Sequence, residues 1–211
     1  MPILSLLTAA TLACTGGQPP VDPPLRVPTA AIPVDSTLRR LFDGGQRYGE
    51  FVAAAQQRKA QWEENAARAA FPDALVARAR ATGGPWKLLV VAVDGCSDSV
   101  NTIPYLARMM EQVPGVELRI IGSAAGRAIM DAHRTPDGRG ATPTVLLLDA
   151  DYVKRGAWIE RPAALQSWIL AQKGVLDDSE VFTRKMRWYD EDRGRQTVEE
   201  IVALMERAPR G

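Results

Sequence analysis

The sequence predicts an α/β protein with a mixed sheet, in which a βαβ unit is followed by an antiparallel ββα unit and extra helices flank both ends. Residues 86–93 form a continuous apolar run rich in valine and leucine, which is typical of a strand buried on both faces. A helical pattern and a second strand-like run follow it. Two further strand-like runs lie on either side of the turn at residues 149–151. This order indicates one sheet with parallel and antiparallel pairs.

The composition is that of an ordinary globular protein, with 46% hydrophobic and 24% charged residues among 211. The formal net charge is +1, so no strong field attracts phosphate backbones, and we expect no nucleic-acid partner. Two cysteines, Cys14 and Cys96, and one histidine, His133, are too few for a closed zinc site of Cys and His within one chain. This count excludes a zinc finger, and we also expect no other metal and no cofactor.

Residues 1–33 are predicted to be a signal-like segment and a disordered linker. The apolar run at 3–13 is too short to span a bilayer, for which about 20 residues are needed. It ends at Cys14 and passes into a Gly/Pro-rich stretch, so it resembles a bacterial lipoprotein signal in which Cys14 is lipidated. No Lys or Arg precedes Arg26, however, and the alternative is a disordered extension on a cytoplasmic protein. The protein is therefore either cytoplasmic or lipid-anchored outside the cytoplasm, with no other membrane contact.

Residues 34–84 are predicted to form a helical extension ahead of the first strand. Apolar residues from Tyr48 to Ala70 recur every three or four positions, which predicts one amphipathic helix. Pro72 opens a second, shorter helix, which Gly83-Gly84 ends.

Residues 85–173 contain the predicted sheet. After the first strand, a polar corner from Asp94 to Ser99 leads into a helix that Pro114-Gly115 closes. The elements that follow are a strand at 116–121, a short helix at 126–133, strands at 145–149 and 152–158, and a helix opened by Pro162.

Residues 174–211 are predicted to add two more helices. Residues 197–200, Thr-Val-Glu-Glu, match a capping box at the start of the last one. The charged run 184–195 contains Trp188 and Tyr189, a combination also found on nucleic-acid surfaces. Its mixed signs favour a helix that packs these aromatic side chains on the domain.

Three landmarks within residues 85–173 resemble the thioredoxin superfamily. Cys96 occupies the place of the family's first active-site cysteine, and Pro104 lies eight residues later (104 − 96), where thioredoxins carry a proline in the active-site helix. Thr142-Pro143-Thr144 matches the family's cis-proline loop. The resemblance implies a thioredoxin-like fold, a cis bond before Pro143, and a groove in which the backbone of Thr142 pairs with an extended substrate beside Cys96.

The corner sequence departs from that of a dithiol reductase. Residues 96–99, Cys-Ser-Asp-Ser, look like a Cys-x-Asp-Ser variant from a thioredoxin-like branch with added helices at both ends. Ser99 replaces the resolving cysteine, so Cys96 cannot close an intramolecular disulfide there. Gly95 replaces the usual tryptophan, and Val90 stands where thioredoxins have a buried aspartate. These departures imply different chemistry.

Cys96, Asp98 and Ser99 are the candidate catalytic residues. A thiol at a helix N-terminus faces unpaired N–H groups and the positive end of the helix dipole, which favours the thiolate. The alternative for Cys96 is a small buried hydrophobe at a strand end. The negative charge of Asp98 disfavours the thiolate form of Cys96, and no cation between Asp94 and Arg108 offsets this effect locally. Asp98 and Ser99 either hold a proton or the thiol, or simply cap the helix.

Thr142 and Pro143 are the candidate substrate-binding residues, and the alternative for them is a structural turn before a strand.

Two candidate functions follow from these residues. In the first, Cys96 alone exchanges disulfides with a protein or small-molecule substrate, and glutathione or another low-molecular-weight thiol resolves the product. In the second, the fold is a noncatalytic module that binds a polypeptide in the same groove.

Overall fold

The computed structural model describes residues 36–209, and in this range four helices precede the first strand. They are α1 (Ser36–Asp43), α2 (Tyr48–Ala54), α3 (Lys59–Ala67) and α4 (Asp73–Ala81). The sequence did not predict α1, whereas α4 begins after Pro72 as expected. The predictions for residues 1–33, including lipidation of Cys14, lie outside the described residues.

The prediction of one helix from Tyr48 to Ala70 is wrong, because the chain leaves the helix between α2 and α3. Arg58 adopts a left-handed backbone with φ +53°. The backbone N–H groups of Gln56 and Gln57 donate to the carboxylate of Asp94, at 2.7 and 3.0 Å. A tertiary contact therefore replaces the helical hydrogen bonds at this point.

The central part of the chain contains four strands and three helices. They are β1 (Trp86–Val91), α5 (Ser97–Met110), β2 (Val116–Ile121), α6 (Arg127–Ala132), β3 (Thr144–Leu148), β4 (Lys154–Ile159) and α7 (Ala163–Ala171). Within the described residues the sheet has the order β2-β1-β3-β4. β1 is parallel to β2, and β3 is antiparallel to both β1 and β4. The predicted βαβ and ββα units are confirmed, with small shifts of their boundaries.

Two C-terminal helices, α8 (Asp178–Asp192) and α9 (Arg195–Arg207), follow as predicted. Gly194 separates them with φ +72°, and a Cβ at this position would overlap the side chain of Tyr105 on α5. The capping box predicted at residues 197–200 is wrong. The left-handed turn at Gly194 starts α9 two residues before Thr197, which is buried inside the helix.

The sheet carries an apolar layer on each face, which explains the continuous apolar run of β1. Leu88 and Val90 pack into one layer, and the alternate residues Leu89 and Val91 pack into the other. The helices α3, α5 and α9 contribute to the first layer through Trp62, Ile103 and Ile201, and α1 and α6 contribute to the second through Phe42 and Ile129. Both predicted extensions therefore share the core of the sheet. Between residues 36 and 209, each helix is too short or too polar to cross a bilayer.

Candidate active site

Cys96 lies at the corner between β1 and α5, and its side chain is half-buried. It is the N-cap residue of α5, and its sulfur accepts a hydrogen bond from the N–H of Ser99 at 3.5 Å. The thiol donates to the carbonyl oxygen of Thr142 at 3.2 Å. An N–H donor and the N-terminus of a helix both stabilise negative charge on sulfur. The sulfur is thus held between the first turn of α5 and the loop that precedes β3.

The loop before β3 brings the two candidate substrate-binding residues to Cys96. The peptide bond between Thr142 and Pro143 is cis, the isomer that the resemblance implies. The carbonyl of Pro143 accepts a hydrogen bond from the N–H of Glu160 at 2.7 Å, and the hydroxyl of Thr144 donates to the backbone. Pro143 is buried and Thr142 is half-exposed. The partly exposed Thr142 therefore lies beside the sulfur of Cys96.

Ser99 lies in the first turn of α5 and is fully buried. Its N–H contacts the sulfur of Cys96, but its hydroxyl has no hydrogen-bond partner among the described residues. An unpaired buried hydroxyl costs free energy, so it invites a functional explanation. Pro104 and Val90, which the resemblance also singled out, are both buried in the core.

Asp98 does not cap α5, as one interpretation of the sequence held, because the cap is Cys96. Its carboxylate is buried and accepts hydrogen bonds from Tyr189 at 2.7 Å and from Lys185 at 3.1 Å, both on α8. The guanidinium of Arg161, which follows β4, also lies within 3.3 Å. No cation between Asp94 and Arg108 offsets Asp98 locally, as the sequence indicates, but cations from distant parts of the chain pair with it.

Lys185, Tyr189 and Arg161 are site residues that the sequence analysis missed. Lys185 and Tyr189 are four residues apart and lie one turn from each other on α8, so polar residues on the packed face of that helix were the available signal. Burial, and then the charge of Asp98, raise the pKa of Tyr189 well above its ordinary value. Its hydroxyl therefore stays protonated and donates to Asp98.

The segment between α2 and α3 covers the other side of the corner. Asp94 accepts the N–H groups of Gln56 and Gln57, and Arg58 Nε donates to the carbonyl of Gly95 at 3.0 Å. A Cβ at Gly95 would overlap the amide of Gln57, so this side chain takes up the space beside the glycine. Although burial opposes ionisation, the backbone N–H donors hold the pKa of Asp94 below its ordinary value.

His133 and the aromatic residues of the charged run are the remaining features that the sequence analysis singled out. His133 is the C-cap of α6, where its Nδ1 lies 2.9 Å from the carbonyl oxygen of Ile129. Tyr189 is buried on α8 and Trp188 is half-buried beside it, which agrees with a packed helix in the charged run. Among residues 36–209, no group of three or more His, Cys, Asp or Glu side chains is arranged to hold a metal ion.

Comparisons with known proteins support the fold. A search of curated proteins finds no match. One similar solved structure is a protein of unknown function from Pseudomonas aeruginosa, with 23% identity and a TM-score of 0.61 over 80% of this chain and 96% of that one. Another is an HIV epitope scaffold, with 24% identity and a TM-score of 0.61 over 81% of this chain and 98% of that one. At these identities both structures show the fold alone.

The sequence also matches a family model described as thioredoxin, over residues 45–179. The match begins just before α2 and ends at the start of α8, so it covers the sheet, the Cys96 corner and the loop at Pro143. The chain therefore belongs to the thioredoxin family.

Proposed function

We propose that this protein exchanges thiols and disulfides through Cys96 alone and relies on an external thiol to resolve the mixed disulfide. The observation that carries the proposal is the position of the sulfur, half-buried at the N-terminus of α5 and 3.2 Å from the carbonyl oxygen of Thr142. A nucleophilic sulfur and a backbone edge that can hold a substrate lie side by side there. These are the two parts that disulfide exchange needs.

The exchange takes place in two balanced steps. The Cys96 thiolate attacks one sulfur of a disulfide, forms a mixed disulfide with it, and expels the other sulfur as a thiolate, which takes up the proton that Cys96 released. The thiolate of an external thiol then attacks the mixed disulfide, releases Cys96, and leaves a new disulfide between the external thiol and the substrate. Glutathione or another low-molecular-weight thiol supplies this second nucleophile, and a further thiol completes the reduction of the substrate.

Thr142 and Ser99 have distinct roles in this scheme. The backbone of Thr142 pairs with the substrate segment next to the disulfide, and its carbonyl is released when the Cys96 thiol loses its proton. The buried hydroxyl of Ser99 has no other partner, and it lies in the turn whose N–H already contacts the sulfur. That hydroxyl is available to donate to the thiolate, which supports a role for Ser99 in holding the charged sulfur.

The experiment that tests the proposal compares the parent protein with Cys96→Ser, and Cys14 is replaced by serine in both proteins because its thiol would also form an adduct. The parent is incubated with bis(2-hydroxyethyl) disulfide, and intact mass is measured before and after addition of glutathione. We expect an adduct that maps to Cys96 by peptide mass spectrometry and disappears with glutathione, and no adduct in a folded Cys96→Ser variant. An adduct of equal yield in Cys96→Ser, or none in the parent, contradicts the proposal.

The second candidate function is a noncatalytic module that binds polypeptide in the groove beside Thr142. It is favoured by the composition of the site, because Cys96 is the one free cysteine among the described residues and Ser99 occupies the position of the resolving thiol. Binding of a reduced, unfolded polypeptide by both the parent and Cys96→Ser, without any mixed disulfide in the parent, would support this function in place of exchange.

A further inference from the structure

Side chains from two separate parts of the chain converge on the buried carboxylate of Asp98. Lys185 and Tyr189 reach it from α8, and Arg161 reaches it from the end of β4. The side chains of Asp98, Arg161 and Lys185 are each no more than 10% exposed. A buried carboxylate of this kind persists only when its charge is paired and its oxygens accept hydrogen bonds.

The same cluster ties α8 to the residue that directly follows Cys96. Lys185 Nζ donates to the hydroxyl of Ser97 at 3.0 Å as well as to Asp98 at 3.1 Å. The first two residues of α5 are therefore anchored to one ammonium group, immediately next to the nucleophilic sulfur.

The cluster also continues to the loop before β3, and this loop and the first turn of α5 are the two walls on either side of the Cys96 sulfur. Arg161 forms an ion pair with Glu160, and the carboxylate of Glu160 accepts two hydrogen bonds from Arg139, at 3.2 and 3.1 Å. The backbone N–H of Glu160 donates to the carbonyl of Pro143 at 2.7 Å. One continuous set of polar contacts thus joins the first turn of α5 to the loop that carries Thr142.

Stability alone is a weak explanation for this cluster, because a buried ion pair seldom contributes more than apolar residues of similar volume would. The cluster instead fixes the positions of the elements it joins, since each charged side chain has a defined partner. Exchange requires the sulfur and the bound substrate to be placed accurately, and small displacements reduce such rates strongly.

We propose that Asp98, Lys185, Tyr189 and Arg161 are positioning residues that set the separation between the Cys96 sulfur and the Thr142 carbonyl, which makes α8 part of the exchange site. The inference rests on the proposed function for its catalytic consequence. Asp98 is buried and acts through its neighbours.

Tyr189→Phe is the sharpest test, because it removes only the hydroxyl that donates to Asp98 and keeps the ring in place. Asp149→Asn is the matched control. Asp149 forms a partly buried ion pair with Arg155 at the end of β3 that lies away from Thr144. Lys185→Met is the second test variant, and each variant is compared with the parent at equal folded fraction.

The first measurement is amide hydrogen exchange, which needs no activity. In Tyr189→Phe and Lys185→Met we expect the N–H groups of Ser99 and Glu160, one on each wall, to exchange about tenfold faster than in the parent. The amide of Leu147 in β3 is expected to keep its protection. In Asp149→Asn, Ser99 and Glu160 are expected to keep the parent rates.

The second measurement is steady-state exchange of a peptide disulfide with glutathione. We expect kcat to fall about threefold to tenfold in Tyr189→Phe while KM changes little, because positioning acts on the reacting atoms. Unchanged amide exchange at both walls, or a kcat equal to that of the parent, overturns the inference. A parent without exchange activity contradicts the proposed function instead, and amide exchange still decides whether the cluster positions the two walls.

Discussion

The indole N–H of Trp62 donates to the carbonyl oxygen of Asp94 at 2.9 Å, and this bond connects α3 to the corner that carries Cys96. Trp62 is fully buried and packs edge-to-face on Phe51, at 5.1 Å between ring centroids. The helices before the sheet therefore belong to the wall of the candidate site. They occupy the side of the corner where Gly95 replaces the tryptophan that the family usually has.

Trp62→Ala is expected to lower the free energy of unfolding by about 3–5 kcal/mol, because it empties a large buried site. Trp62→Phe keeps most of the apolar contact and loses the bond to Asp94, so we expect a loss of about 1–2 kcal/mol. Urea unfolding followed by circular dichroism measures both. Trp188→Phe, at a half-buried position on α8, serves as the control, and an equal loss in all three variants would contradict the role assigned to Trp62.

Ser99→Cys is expected to increase dithiol reductase activity, because a second thiol one turn from Cys96 can displace substrate from the mixed disulfide. Insulin reduction with dithiothreitol measures it, and Ser99→Ala is the matched control without a thiol. Because the Ser99 hydroxyl is buried without a partner, Ser99→Ala is also expected to stabilise the fold by about 1 kcal/mol. A destabilised Ser99→Ala variant would show that the hydroxyl has a partner in solution.

Asp94→Asn is expected to weaken the contact between the α2–α3 segment and the corner in a pH-dependent manner. The pKa of Asp94 is lowered in the folded protein, so the stability it contributes is complete above the unfolded value of about 3.9 and is lost as pH falls through the folded value. We expect Asp94→Asn to cost about 1 kcal/mol at neutral pH, a small figure because the carboxylate is largely solvated.

The measurement for Asp94 is the difference in unfolding free energy between the parent and Asp94→Asn as a function of pH. That difference is expected to stay constant above about pH 5 and to shrink below about pH 4. A difference that grows on acidification would contradict the direction of the shift.

Gly194→Ala is expected to cost about 3 kcal/mol or more, because the backbone has φ +72° and the new Cβ overlaps Tyr105. Gly174→Ala is the matched control. It has a similar φ of +76° but open space around the position, so only the backbone strain of about 1 kcal/mol remains. Thermal unfolding of the two variants separates strain from overlap, and equal losses would argue against the contact between Gly194 and Tyr105.

Local sequence patterns predict the order of strands and helices from β1 onward and the corner residues of the candidate site. The apolar run of β1 and the hairpin of β3 and β4 are local patterns, because each reflects the period and burial of one element. Cys96, Pro104 and the Thr142-Pro143 loop can also be identified from the sequence by their residue types and spacing. That the sulfur of Cys96 lies beside the Thr142-Pro143 loop was implied by the family resemblance alone.

The surroundings of Asp98 and the separation of α2 from α3 depend on contacts between distant parts of the chain. The partners of Asp98 are Arg161, Lys185 and Tyr189, which lie 63, 87 and 91 residues along the chain from it. The break before Arg58 depends likewise on Asp94, more than 30 residues away. Such contacts form when whole helices pack on the sheet, so no pattern of neighbouring residues encodes them. The carboxylate of Asp98 was visible in the sequence, whereas its burial and the groups that neutralise it became visible only with the fold.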